Sequence, residues 1–185
     1  MASSTRRWRA PEPRRAALAL LAALLLGACG LGETPDRARL LAVEPVAAGT
    51  ALEVTQRLRL SRTMLEALDR GIPLLLAYRL RWCPDSGRRE QRVALELRHL
   101  PLSRHYELRT LPHGPVQRFA RRSALLAALD RVRLPLELAA PECGGELAVA
   151  LDLTALPTPL RFPAFLEPSE WRLVSAPLAW PSAHG

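Results

Sequence analysis

Residues 74–82 read Leu74-Leu75-Leu76-Ala77-Tyr78-Arg79-Leu80-Arg81-Trp82, and the alternation within this stretch decides the fold. Leu74, Leu76, Tyr78, Leu80 and Trp82 share one parity, while Arg79 and Arg81 take the other. Successive side chains of a strand point to opposite faces, so the pattern is that of a strand with one apolar and one wet face. The same pattern recurs on both sides. Leu52, Val54, Leu58 and Leu60 alternate with Glu53, Thr55, Arg57 and Arg59, and Val93, Leu95 and Leu97 alternate with Arg92, Glu96 and Arg98. Further strands are expected over 38–46, 104–110, 132–139, 145–153 and 171–179. Pro84-Asp85-Ser86-Gly87 carries turn residues between two strong strands and reads as a hairpin connection.

Two short helices interrupt this series. Ser61 can cap a helix with apolar positions Met64, Leu65 and Leu68, which Gly71 and Pro73 would stop. Ser123 can cap a second, with Leu125, Leu126, Leu129 and Val132 on one stripe. Pro157, Pro159, Pro163 and Pro168 predict that 154–170 crosses as an extended segment. No internal repeat or low-complexity stretch follows residue 36. The expectation is a mainly β chain: an antiparallel β-sandwich-like domain with two short α-helices, occupying residues 37–185.

The N-terminus has a different character. Residues 6–15 are basic, 16–26 (AALALLAALLL) are an unbroken apolar run, and Gly27-Ala28-Cys29 follows at once. A transmembrane helix needs about 20 apolar residues, so this shorter run reads as the core of a signal peptide that spans residues 1–28. Leu26-Gly27-Ala28-Cys29 has the form of a bacterial lipobox, in which Cys29 is lipidated and becomes the first mature residue. The alternative is an ordinary secretory signal with Cys29 incidental. Residues 29–36 then form a tether. Its seven residues after the cysteine span at most about 25 Å, which would hold the domain near a membrane surface. Gly30, not aspartate, follows Cys29, and under the enteric sorting rule this favours the outer membrane over the inner, on the periplasmic side of the envelope.

The formal charge of +8 overstates the basicity of the exported part. Five arginines and one acid lie in the signal, leaving 21 arginines against 17 acids, and the chain contains no lysine. Such a mild excess gives no case for nucleic-acid binding. Arg57, Arg59, Arg79, Arg81, Arg92 and Arg98 all take outward parities, so neighbouring strands would gather them into a basic binding face for anionic headgroups or an acidic partner. Interleaved with Glu53 and Glu96, the same residues also fit an ordinary solvated face.

Motif chemistry is sparse. Cys83 and Cys143 are an even pair at strand ends or turns, which in an oxidising compartment reads as a disulfide, with two free thiols as the alternative. His99 and His105, six apart, would share one face of a continuous strand and are the one hint of a metal pair, but solvated or hydrogen-bonded histidines, His113 included, are the favoured reading. There is no CxxC, HExxH, GxSxG or P-loop. Gly144-Gly145 reads as a turn, and Asp152 within an apolar strand as a structural acid. No metal, cofactor or catalytic residue is expected.

Five stretches carry a family likeness: Gly71-Ile72-Pro73-Leu74; His99-Leu100-Pro101-Leu102-Ser103-Arg104-His105-Tyr106; Leu151-Asp152; Leu156-Pro157-Thr158-Pro159-Leu160-Arg161; and Trp171-Arg172-Leu173-Val174-Ser175. In order and spacing they resemble an uncharacterised proteobacterial family of exported proteins, domain-of-unknown-function family 4390, over roughly residues 38–180. Cys83 departs from it, since an aromatic is commoner there. The family has no established activity, so the resemblance implies no catalytic residues. Its members are often encoded beside a nitrogen-regulation-type sensor kinase, which implies an envelope partner of that kind. The expected function is therefore that of a non-enzymatic envelope lipoprotein, a binding or scaffolding module accessory to a membrane sensor kinase. An apolar-ligand or lipid carrier and a hydrolytic enzyme with an unrecognised site are the alternatives.

Overall fold

The computed structural model describes residues 37–46, 50–82, 89–136 and 144–180. The stretch quoted first becomes strand β3 (Leu74–Trp82), near the middle of a six-stranded antiparallel sheet. Its neighbours on one side are β4 (Arg89–Leu100), β5 (His105–Leu111) and β6 (Val116–Phe119); on the other they are β8 (Gly145–Leu151) and β9 (Leu178–Trp180). A second, three-stranded antiparallel sheet runs β1 (Ala38–Val46), β2 (Ala51–Leu58), β7 (Arg131–Pro135), with β2 central. The expected mainly β, antiparallel two-sheet fold is the one observed.

The core lies between the sheets because the apolar parities face one another. Leu74, Leu76, Tyr78, Leu80 and Trp82 are at most 4 % exposed, and they share one cluster with Leu52 and Val54 of β2 and Leu134 of β7. Full burial of one such aliphatic side chain stabilises by about 1.5–3 kcal/mol. Polar groups also bridge the layers: Gln56 of β2 donates from Nε2 to the Tyr78 hydroxyl (2.7 Å), and Gln91 of β4 donates to the Pro135 carbonyl (3.1 Å). In β1 the register shifts between Leu40 and Ala42. That bulge lets Leu40 and Val43 both face inward and turns Leu41 out to solvent.

Helix α1 (Arg62–Asp69) is the one anticipated after Ser61, whose hydroxyl accepts from the Met64 amide at 3.0 Å. It ends in a Schellman arrangement: Gly71 donates to the Leu68 carbonyl and Ile72 to that of Ala67. Gly71 sits at φ +85°, which a residue with a Cβ adopts only under strain.

Several local expectations are corrected. Helix α2 (Arg122–Leu129) starts at Arg121, without a side-chain cap, so Ser123 lies inside the first turn. Residues 154–170 are not extended: a 3-10 turn (Leu153–Ala155) leads into α3 (Thr158–Leu166) and α4 (Pro168–Trp171). Pro159 and Pro168 occupy first-turn positions, where a missing N–H costs nothing, and only Pro163 is internal. The strand expected over 171–179 is reduced to β9 and one bridge, Ala150 with Val174. There the Ser175 hydroxyl, not a backbone carbonyl, accepts from the Val149 amide. Strand β6 was not anticipated. Trp82 and Arg89 pair across β3 and β4, as a hairpin requires, while the 84–87 turn itself lies outside the described residues.

Candidate binding surface

The inward face of the six-stranded sheet is buried by the second sheet. Its outward face carries the polar parity. Cross-strand register arranges that parity in rows: Arg81 stands between Glu90 and Glu146, Arg79 between Arg92 and Ala148, and Ala77 between Ala94 and Ala150. An alanine side chain ends at Cβ, so the third row lies low beside the long arginines. The result is an open trough of about 460 Å³, floored by Ala77, Ala148 and Ala150, with Arg79 and Arg92 at one end and Asp152, Thr154 and Val174 at the other.

Charge at the arginine end is unbalanced. Glu90 receives Arg92 Nε (3.2 Å), Arg81 Nε (3.4 Å) and Arg79 Nε (3.7 Å), so three guanidiniums converge on one carboxylate. The hydrogen bond from Arg92, then that from Arg81, holds the Glu90 carboxyl below its ordinary value. Even with Glu146 opposite Arg81, this end keeps one uncompensated positive charge. Asp152 at the far end is a structural acid: its Oδ1 accepts from the Thr154 amide (2.9 Å) and hydroxyl (2.6 Å), capping the 3-10 turn.

The six arginines of the predicted face are not one surface. Arg79, Arg81 and Arg92 come together around Glu90. Arg98 stands opposite Glu107, six residues along β4 and about 20 Å away. The buried Glu107 carboxylate is paired there with Arg118 (3.0 Å) and Arg109 (3.6 Å). Arg57 belongs to the other sheet, where it faces Arg39 across β1 and β2, and Arg59 lies just past the end of β2. The alanine floor and the two glutamate hubs were missed. Their residue types and parities are visible in the sequence, but which strands stand side by side is not.

A second polar cluster ties elements together. The Asp69 carboxylate, at the end of α1, accepts from the Tyr106 hydroxyl (2.9 Å) and from Arg122 of α2. His99 stacks on Tyr106 at 4.4 Å and its Nδ1 lies 2.7 Å from the Asp69 carbonyl oxygen. Burial, and then the Asp69 carboxylate, push the Tyr106 phenol above its usual value. Two of the stretches that carried the resemblance, around Gly71 and around His99–Tyr106, thus meet here. His99 and His105 do not share a strand face: they lie on β4 and β5, with His99 turned to Tyr106 and His105 exposed. Among the described residues no three His, Cys, Asp or Glu side chains form a metal-sized group, and no helix is long and apolar enough to cross a membrane.

Cys29, Cys83 and Cys143 lie outside the described residues. Beside the strand ends that lead to the last two, a notch of about 280 Å³ opens between Trp82 and Trp180 over Gly144 and Gly145.

Architecture and surface together define a mainly β, two-sheet antiparallel domain with one solvent-facing, arginine-bordered sheet face. The family model described as Domain of unknown function (DUF4390) matches residues 37–181, and the chain belongs to that family. The match spans every strand and helix described above. No curated protein and no solved structure matches the chain.

Proposed function

We propose that the chain is an envelope lipoprotein, anchored through Cys29 on the periplasmic side with the outer membrane favoured, and that its domain acts by binding. The carrying observation is the trough on the open sheet face, low and apolar along its alanine row and positive at Arg79 and Arg92. A groove of this form accepts an extended segment that lays small apolar side chains on the floor and an acid at the arginine end. Uncompensated guanidinium charge steers such a partner and sets its direction. The exported part of a sensor kinase, the partner implied by the family resemblance, is the first to test.

The test separates the two arginine groups. Full-length chain carrying Arg79→Glu and Arg92→Glu should lose capture of the kinase's exported part while keeping its fold by circular dichroism. Arg57→Glu with Arg59→Glu, at the end of β2 in the other sheet, should leave capture unchanged. Undiminished capture by the folded Arg79/Arg92 variant would refute the trough as the site.

A further inference from the structure

Helix α3 carries its apolar side chains on two opposite faces. Ala164 is fully buried and Leu160 packs against the core, while Phe162, Phe165 and Leu166 are 70 %, 60 % and 65 % exposed. Positions 162, 165 and 166 fall within one turn of each other on a single helical face, the side away from Ala164. Single exposed apolar residues are ordinary, but two phenylalanines and a leucine together on one short helix mark a contact surface.

The start of the described chain is tied to the helix that follows α3. Arg37, the first described residue, donates from Nη1 to the Glu170 carbonyl (3.2 Å) and pairs with the Glu170 carboxylate (3.8 Å). Glu170 belongs to α4, one residue beyond α3, and is also held by the Thr63 hydroxyl at 3.0 Å. Leu166 and Glu170 are four residues apart, so at most about 14 Å of chain separates them. Arg37 is therefore held at α4, a few residues from the end of α3, and a span of at most about 25 Å between Cys29 and the domain keeps α3 within reach of whatever holds Cys29. Arg161 and Arg172 are exposed on the same segment, with Glu167 as an exposed acid between them.

We propose that α3 seats Phe162, Phe165 and Leu166 in the surface of the bilayer that anchors the chain, with Arg161 and Arg172 at headgroup level. This rests on the lipid-anchor reading. A short interfacial helix of this kind adds apolar burial and headgroup attraction to the acyl chains and fixes the side of the domain that faces the membrane. The occupant is lipid, not a second copy of the chain, because the short span from Cys29 to Arg37, held at α4, keeps α3 near the anchoring bilayer.

The test uses full-length, processed chain in vesicles of phosphatidylethanolamine and phosphatidylglycerol, with a photo-crosslinking side chain at position 165 and, separately, at 57. Palmitate labelling of Cys29 is read in parallel, so failure of the anchor and failure of the face are distinguished. The expected result is lipid adducts at 165 and none at 57. Phe162→Ser with Leu166→Ser should cut the adducts at 165 about tenfold, since two large side chains give up their apolar contact. Labelled chain without lipid adducts at 165, or with adducts at 165 only to another copy of the chain, overturns the proposal while leaving the anchor standing. Unlabelled chain that still gives lipid adducts at 165 supports the face and overturns the anchor. Unlabelled chain without them overturns both.

Discussion

Trp82 stands directly opposite Gly145 across β3 and β8, and the Trp180 ring lies over that glycine. A Cβ at position 145 would sit 2.3 Å from Trp180 Cζ2 and 2.5 Å from the Arg81 carbonyl oxygen. The backbone oxygen cannot move without breaking the pairing of β3 and β8, so even a shift of the Trp180 ring toward the notch beside it leaves that clash in place. Gly145→Ala should therefore destabilise by about 1–3 kcal/mol, read as a lower denaturant midpoint with unchanged slope. An unshifted midpoint would mean that the close approach is not kept in solution.

The even pair Cys83 and Cys143, in an oxidising compartment, motivates a disulfide as a prediction. Closing a loop of about 60 residues would stabilise by roughly 4 kcal/mol in the chain-entropy treatment. Non-reducing peptide mass spectrometry should recover one linked peptide pair, and reduction should lower the Tm. Two alkylatable thiols in the untreated, folded protein would exclude the bridge.

Stability should fall in alkali through Tyr78. Its phenol is fully buried, and burial raises its proton affinity far above the usual value, with the Gln56 hydrogen bond only partly opposing. The unfolded chain releases this proton near pH 10 and the folded chain does not, so the contribution is complete below about pH 10 and is lost as pH rises beyond it. Tyr78→Phe should cost about 1 kcal/mol at neutral pH, because Gln56 keeps its bond to the Leu129 carbonyl at 2.8 Å. The variant should also lose stability less steeply above pH 10. Parallel curves for the two proteins would sink this assignment.

Lipidation makes the simplest prediction. Cys29→Ala should abolish palmitate incorporation and release the chain into the soluble fraction, because acyl chains supply the main anchoring free energy at about 0.8 kcal/mol per buried methylene. Retained labelling in the variant would rule out Cys29 as the modified residue.

Much of the local structure was legible, because it depends on neighbours within a few residues. Alternation from Leu74 to Trp82 specified a strand and its buried face, since the period of a strand is a local property. Ser61 and Gly71 marked both ends of α1 for the same reason: a cap acts on amides and carbonyls within one turn. The prolines at 159, 163 and 168 misled because proline breaks a strand or helix interior yet suits a helix start, and the choice depends on where the core receives Leu160 and Ala164.

The sequence by itself determined the mainly β class, the buried parities of β2, β3 and β4, and the family. Only the tertiary structure decided which faces are shared. Arg57 and Arg79 carry the same parity signal, but they part onto different sheets because β2 pairs with β1 and β7 and not with β3. Ala77, Ala94 and Ala150 are unremarkable singly and become part of one low row only through the pairing of β3 with β4 and β8. Arg37 meets Glu170 across most of the chain, holding the first strand's entry against α4. The physical reason is common to all three: strand pairing and core packing join residues far apart in sequence, and their energy comes from burying whole faces, which no local pattern encodes.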